Sequence, residues 1–214
     1  MKIRVSDYIV SFFIKKKMFE VFGVTGGGAM HLNDSFAKYK KMNFTFFHHE
    51  QSASMAAEAF YRKRKNPCIL NTTSGPGATN AVTGVTGAWI DGIPMFVVSG
   101  QVPTKDMINN TKTRQIGVQE INIIDIVKPI VKKVVSIKDP KLIDVHLNEL
   151  YESMFDNRPG PVWLDVPLDI QSRIINSNKI IKFKKKKKKI KKSKINFSVI
   201  QKLIERSSRP IIVV

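Results

Sequence analysis

One glutamate, Glu50, stands where a Phe- and Thr-rich run gives way to an alanine-rich stretch, in the segment His48-His49-Glu50-Gln51. A carboxylate at such a strand-to-helix junction feels the positive end of the helix, which favours its charged form, while Phe47, Met55 and Ala56 would strip it of water and favour the protonated form. Opposed influences of this kind suit a group that shares a proton with a ligand, although a glutamate that only stabilises a helix N-terminus reads the same way. Gly23-Val24-Thr25-Gly26-Gly27-Gly28 lacks the G-x-G-x-x-G spacing of a dinucleotide site, and no Gly-Lys-Ser/Thr follows it. It is therefore either a tight turn or a place where backbone comes close to a ligand. Ser74-Gly75-Pro76-Gly77-Ala78-Thr79-Asn80 sets two glycines around a proline, so it either turns the chain or presents N–H groups to a polar or anionic ligand. His48 and His49 have neither an i, i+4 partner nor a second ligand, so no metal site is predicted there, and Glu58, two turns further on, is expected to be solvated.

These three segments need a frame that brings them together, and hydrophobic periodicity supplies one. Ser6 can cap a helix carrying Tyr8, Ile9, Phe12 and Phe13, ending near lysines 15 to 17. A strand at Glu20–Val24 runs into the glycines, a helix with Met30, Leu32 and Phe36 follows, and Asn43–His48 is a β-rich run. Next come a helix at Glu50–Arg64, a strand at Pro67–Thr72, a small-residue helix at Gly75–Trp89 and a strand at Pro94–Ser99. Residues 101–119 are polar with little periodicity and longer than most connections, which marks a functional or disordered loop. Beyond it the pattern predicts a helix near Ile121–Val127, a strand at Ile130–Val135, a helix at Pro140–Phe155 and a last strand at Pro161–Val166, closing the domain near Gln171. Short strands alternating with longer helices mean a doubly wound parallel α/β sheet with helices on both faces, whose ligands sit beyond the carboxyl ends of the strands. The three unusual segments all fall at those ends.

Composition narrows the function classes. The 214 residues carry a formal charge of +19, but eleven lysines and no acid lie between Lys179 and Lys194, so the rest carries only +8. A basic surface spread over a whole domain is thus weakly indicated, and the run reads as a solvated linker over 173–195 rather than a nucleic-acid patch. Residues 1–172 form the expected first domain. Phe197–Arg206 looks helical and Pro210–Val214 looks like a buried strand, together the start of a second domain at 196–214 in a chain that reads as cut short. The single cysteine, Cys68, reads as a small strand residue; it excludes an internal disulfide framework and fits a cytoplasmic setting. The apolar stretch near the N-terminus is preceded by Asp7, ended by Lys15 to Lys17 and followed by no small-residue cleavage site, so it is not a signal peptide. No run of about 18 apolar residues suggests a membrane span.

The segments VFGVTGGGAMHLND, HHEQSASMAAEAF, TSGPGATNAVTGVTGAWIDGIPMFVVSGQ, RQIGVQEINIIDIVKPI and RPGPVWLDVPLDIQ, in that order, resemble the amino-terminal, pyrimidine-binding domain of thiamine-diphosphate-dependent enzymes of the acetolactate synthase group. The resemblance implies that Glu50 hydrogen-bonds the aminopyrimidine ring and favours its imino tautomer, which primes the cofactor to decarboxylate a 2-keto acid such as pyruvate and pass the two-carbon unit to an acceptor carbonyl. It places Thr25, Gly26 and Gly27 by the ring, Thr73, Pro76, Gly77 and Asn80 along the cofactor cleft, and Gln119 near the reacting centre. It implies a homodimer or homotetramer with the active site across subunits, and a role in branched-chain amino acid biosynthesis. Mg²⁺, and FAD where used, belong to other domains of such enzymes, and no Gly-Asp-Gly occurs here, so this chain alone is expected to be inactive. Two departures, Val24-Thr25 for the usual Tyr-Pro and Val118 for the usual Phe, leave the acceptor open. The GGGAMHLND wording is closer to relatives in surface-polysaccharide and other specialised pathways. A different thiamine-diphosphate decarboxylase or lyase and a non-catalytic remnant are the alternatives, with nucleic-acid binding through the lysine run a distant one.

Overall fold

The computed structural model describes residues 2–108, 112–185 and 196–211. The chain forms two units, Met1–Phe183 and Lys184–Val214. In chain order the first unit contains β1 (Lys2–Arg4), α1 (Val5–Lys15), β2 (Glu20–Gly23), α2 (Met30–Lys38), β3 (Asn43–Phe46), α3 (Glu50–Arg64) and β4 (Ile69–Thr72). It continues through α4 (Pro76–Asn80), α5 (Val82–Asp91), β5 (Phe96–Gln101), α6 (Ile123–Val127), β6 (Val134–Ser136), α7 (Ile143–Phe155), β7 (Val162–Pro167), α8 (Leu168–Ser172) and β8 (Ile174–Asn176). The described part of the second unit holds α9 (Phe197–Glu205), whose Phe197 and Leu203 are exposed.

Six parallel strands form one sheet in the order β3-β2-β4-β5-β7-β6. Strand residues alternate between two apolar layers: Ile69, Phe96, Val98, Val162 and Leu164 face one, and Leu70, Val97 and Trp163 the other. The first layer is closed by Ile9 and Phe13 of α1, Phe36 of α2 and Leu147 and Leu150 of α7, the second by Ala53 and Ala57 of α3, Val85 and Ala88 of α5 and Ile123 of α6. A sheet buried on both faces needs continuous apolar strands, as Phe96–Val98 and Val162–Leu164 provide. Strand order reverses between β2 and β4, so the carboxyl ends that flank the crevice are those leading to the glycines and to Ser74-Gly75-Pro76-Gly77.

Small residues let the second layer close tightly. A Cβ on Gly84 of α5 would lie 2.1 Å from Ser54 Oγ of α3, and one on Gly87 would lie 3.0 Å from Glu58 Oε2. Cys68 is buried in this layer, and burial pushes its thiol up to about 12. Toward the β6 edge of the sheet, Asp165 of β7 is fully buried; it accepts from Ser99 Oγ of β5 (2.7 Å) and Ser136 Oγ of β6 (3.0 Å), while Trp163 Nε1 donates to Ser99 Oγ (2.8 Å). One carboxyl thus ties three strands, and desolvation raises it from the ordinary 3.8 to about 7 against the opposing pull of those hydrogen bonds.

The α/β architecture is the expected one, with local corrections. Ser6 does not cap α1: β1 pairs antiparallel with β8 and Val5 N bonds Arg173 O (2.9 Å), so the helix is capped at Arg4 and begins at Val5. Ser6 lies inside it, fully buried, accepting from Ser35 Oγ (2.9 Å). The expected Gly75–Trp89 helix is two helices separated at Ala81, whose N–H bonds Ala78 O and tightens the turn. The strand expected at 130–135 is displaced to Val134–Ser136 because Lys128–Ile130, with Pro129, makes a 3₁₀ turn. Glu58 is not solvated but half-buried, paired with Arg62 one turn on (2.6 Å). Residues 173–183, placed in the linker by the pattern, pack with the first unit through β8 and buried Ile180. Residues 186–195 of the lysine run and 212–214 of the expected last strand lie outside the described residues, and Pro210 and Ile211 are exposed and not in a strand.

Two measurements follow. A Cβ on Gly100 would sit 2.0 Å from the carbonyl oxygen of Gly28, so Gly100→Ala must move backbone and is expected to destabilise the unit by about 1–3 kcal/mol in urea melts. Folded Asp165 keeps a proton that the unfolded chain releases between pH 3.8 and about 7, so its contribution to stability falls as pH rises through that window. The loss is at most about 1.4 kcal/mol per pH unit, and Asp165→Asn should flatten that part of the stability–pH curve.

Candidate active site

Glu50 is the first residue of α3, set there by a cap. His49 is extended (φ −152°, ψ 136°), its Nδ1 accepts from Gln51 N (3.1 Å), and its carbonyl accepts from Ala53 N (3.1 Å). The cap turns Glu50 inward, leaving it 6 % exposed. Cover comes from α4 rather than from Met55, which is 45 % exposed. Asn80 Nδ2 donates to Glu50 Oε2 (3.0 Å), and a Cβ on Gly77 would lie 3.1 Å from Oε1. One oxygen is therefore committed to Asn80, and the other faces a position where the chain carries no side chain.

Thr73 joins the two glycine segments. A Cβ on Gly77 would lie 2.5 Å from Thr73 Cγ2 and one on Gly26 2.5 Å from Thr73 Cβ, while Gly28 N donates to Thr73 Oγ1 (3.0 Å). Gly28 is held further by Gln171 Nε2, which donates to its carbonyl (2.7 Å), and a Cβ there would lie 2.5 Å from Ser74 Oγ. Gly27 differs: it is exposed, and a Cβ built on it meets nothing within 4 Å. Gly75, at φ +60°, occupies a conformation that favours glycine, and a Cβ there would strike the carbonyl oxygen of Gln119 at 2.1 Å. Gln119 is itself left-handed at φ 59°. With Gly75, exposed Pro76, Thr79 and Val118 it bounds a hollow of about 400 Å³.

Of the residues singled out from sequence, Glu50, Gly77 and Asn80 meet directly, Thr73 bridges Gly26 and Gly77, and Gln119 sits over the turn that starts α4. Thr25 lies elsewhere. It is exposed and lines a hollow with Asn33, Phe36, Phe44 and Phe46 on the α2 side. His48 and His49 are exposed, and His49 serves as a cap. Sequence reasoning missed that Asn80 binds the carboxylate, and it missed Glu120. The signal for Glu120 was an acid three residues after Gly117 in a polar loop, where carboxylates commonly collect backbone N–H groups.

Residues 3–125 match the family described as "Thiamine pyrophosphate enzyme, N-terminal TPP binding domain". Among curated proteins, the chain is 36% identical over 157 residues to the mitochondrial acetolactate synthase catalytic subunit of Saccharomyces cerevisiae, covering 73% of this chain and 22% of that one. It is 36% identical over 159 residues to a probable acetolactate synthase large subunit of Methanocaldococcus jannaschii, covering 74% and 26%. Against the acetolactate synthase isozyme 1 large subunit of Escherichia coli it is 29% identical over 169 residues, covering 79% and 29%. The chain thus spans less than a third of the length of these relatives. A matched segment that contains the glycine turns, Glu50, the Thr73–Asn80 crevice and Gln119 makes this chain a member of the thiamine pyrophosphate enzyme family, carrying its N-terminal TPP-binding domain.

Proposed function

We propose that this chain is the pyrimidine-binding part of an acetolactate-synthase-like enzyme that decarboxylates a 2-keto acid such as pyruvate and transfers the two-carbon unit to an acceptor carbonyl. The observation that carries this reading is the buried carboxylate of Glu50, with Oε2 taken by Asn80 and Oε1 beside the bare Cα of Gly77. The residues fit a flat heterocycle: the space beside Gly27 is open, and Gly26 and Gly77, packed on Thr73, keep the backbone low next to the buried Glu50 carboxylate. Thiamine diphosphate, when bound, supplies the electron sink that decarboxylation requires.

In this reading Glu50 Oε1 holds the proton at a pyrimidine ring nitrogen, and Asn80 keeps the carboxylate from rotating away. Thr73, Gly26, Gly27 and Gly77 shape the ring's bed, Pro76 starts the wall of the cleft, and Gln119 lies toward the reacting end. Thr25, turned to the α2 side, contributes through the turn it opens rather than through its side chain. Diphosphate and Mg²⁺, and FAD if used, would be held by residues outside these 214, among which Gly-Asp-Gly does not occur. A neighbouring subunit of a homodimer or homotetramer is the proposed source. Exposed Met55 on α3 and Trp89 and Ile90 on α5 support such a partner face. A single buried cysteine supports a cytoplasmic setting, and among the described residues no helix is long and apolar enough to cross a membrane. Val24-Thr25 and Val118 favour, as a second reading, a specialised member with a different acceptor.

Glu50→Gln replaces one carboxylate oxygen without changing size. In the complete enzyme it is expected to lower pyruvate-dependent CO₂ release by roughly 10²–10⁴-fold, with the melting curve unchanged. Near-normal turnover would remove Glu50 from this role.

A further inference from the structure

The stretch between β5 and α6 passes the mouth of the site, and main-chain donors from both of its arms converge on Glu120. Ile108 N donates to Glu120 Oε1, and Ile116 N (2.9 Å) and Gly117 N (3.2 Å) donate to Oε2. The base of the loop is secured separately. Buried Gln101 donates through Nε2 to Ile121 O (3.1 Å) and accepts through Oε1 from Val102 N (3.0 Å), while Thr104 donates to Asp169 from its N–H (2.9 Å) and hydroxyl (2.7 Å). A Cβ on Gly117 would lie 2.8 Å from Val102 Cβ, so the arms touch. A carboxylate with both oxygens on backbone N–H groups is engaged in shape rather than proton transfer.

The shape it sets is the rim of the catalytic crevice. Two residues before Glu120, Val118 is 83 % exposed, and Gln119 holds its left-handed backbone against Gly75. Together they border the hollow of about 400 Å³ beside Pro76 and Thr79, one helical turn from the Asn80 that holds Glu50. We propose that Glu120 is a positioning residue: it clasps Ile108 to Ile116 and Gly117 so that Val118 and Gln119 form the wall that selects among 2-keto acids for the acceptor position. Glu120 also lines this hollow, but both its oxygens are engaged by backbone N–H groups, so it acts through those two neighbours. The acceptor role rests on the function proposed above, whereas the clasp can be tested without it.

The first test uses the 214-residue chain. Lys112 and Arg114 are exposed trypsin sites between the clasped arms. Loss of charge-assisted hydrogen bonds should raise the open population, so Glu120→Ala is expected to speed cleavage there by about tenfold or more at an unchanged melting temperature. Glu120→Gln, which keeps one acceptor oxygen, should fall between Ala and the native residue. Native cleavage rates in both variants would overturn the clasp, and Gln alone decides should Ala fail to fold.

The second test, in the complete enzyme, compares the same variants with Glu50→Gln. The KM for the acceptor 2-keto acid should rise several-fold in Glu120→Ala, with partial rescue by Gln, while half-saturation by thiamine diphosphate stays unchanged. Faster cleavage with an unchanged acceptor KM would overturn the selective role. Full turnover in Glu50→Gln would overturn the functional reading and leave the proteolysis result standing.

Discussion

Close approach of backbone to backbone at the carboxyl edge of a parallel sheet governs this molecule. At Gly23 a Cβ would strike Asn71 O at 2.1 Å, at Gly26 the Thr73 side chain, at Gly100 the carbonyl of Gly28 and at Gly75 that of Gln119. Each contact joins residues that lie in or after different strands. A side chain at any of them would wedge the crevice open, and Glu50 would lose the cover that α4 gives it. Only after this convergence do Asn80 and Gly77 come within reach of a carboxylate some thirty residues away.

The other half of the sheet is held by different means. Beyond β4 the ends of β5, β6 and β7 are joined by side chains, with Asp165 gathering Ser99 and Ser136 and Trp163 donating to the same Ser99. Desolvation of this carboxyl outweighs the hydrogen bonds from Ser99, Ser136 and Gln101, hence its raised pKa. This stiff region carries Gln101, from which the loop clasped by Glu120 departs. Bare backbone at one end of the sheet and a polar knot at the other thus flank the crevice.

What could be read from sequence was what local chemistry determines. The Glu50–Arg64 helix is present with the bounds its pattern implied, because alanines set its propensity and small Ser54 lets it close against Gly84. Strand ends could be read because they coincide with Gly and Pro punctuation, and the grouping of Glu50 with Gly77 and Asn80 follows from that topology. Long-range partners left no local trace. Ser6 and Ser35 meet across α1 and α2, β1 finds β8 across most of the unit, and Thr25 turns to the α2 side although its glycine neighbours face Thr73. The Glu58–Arg62 pair did have a local sign in its i, i+4 spacing.

The pairing of Lys2–Arg4 with Ile174–Asn176 has a bearing on how the chain is made. Residues at the start of this unit find their strand partner only among its last residues. Cotranslational folding can lay down α1 through β5 early, but the amino-terminal strand must wait for almost the entire unit to be synthesised. Until then Val5 lacks the Arg173 carbonyl that starts its helix, and β1 stays open to chaperones and proteases.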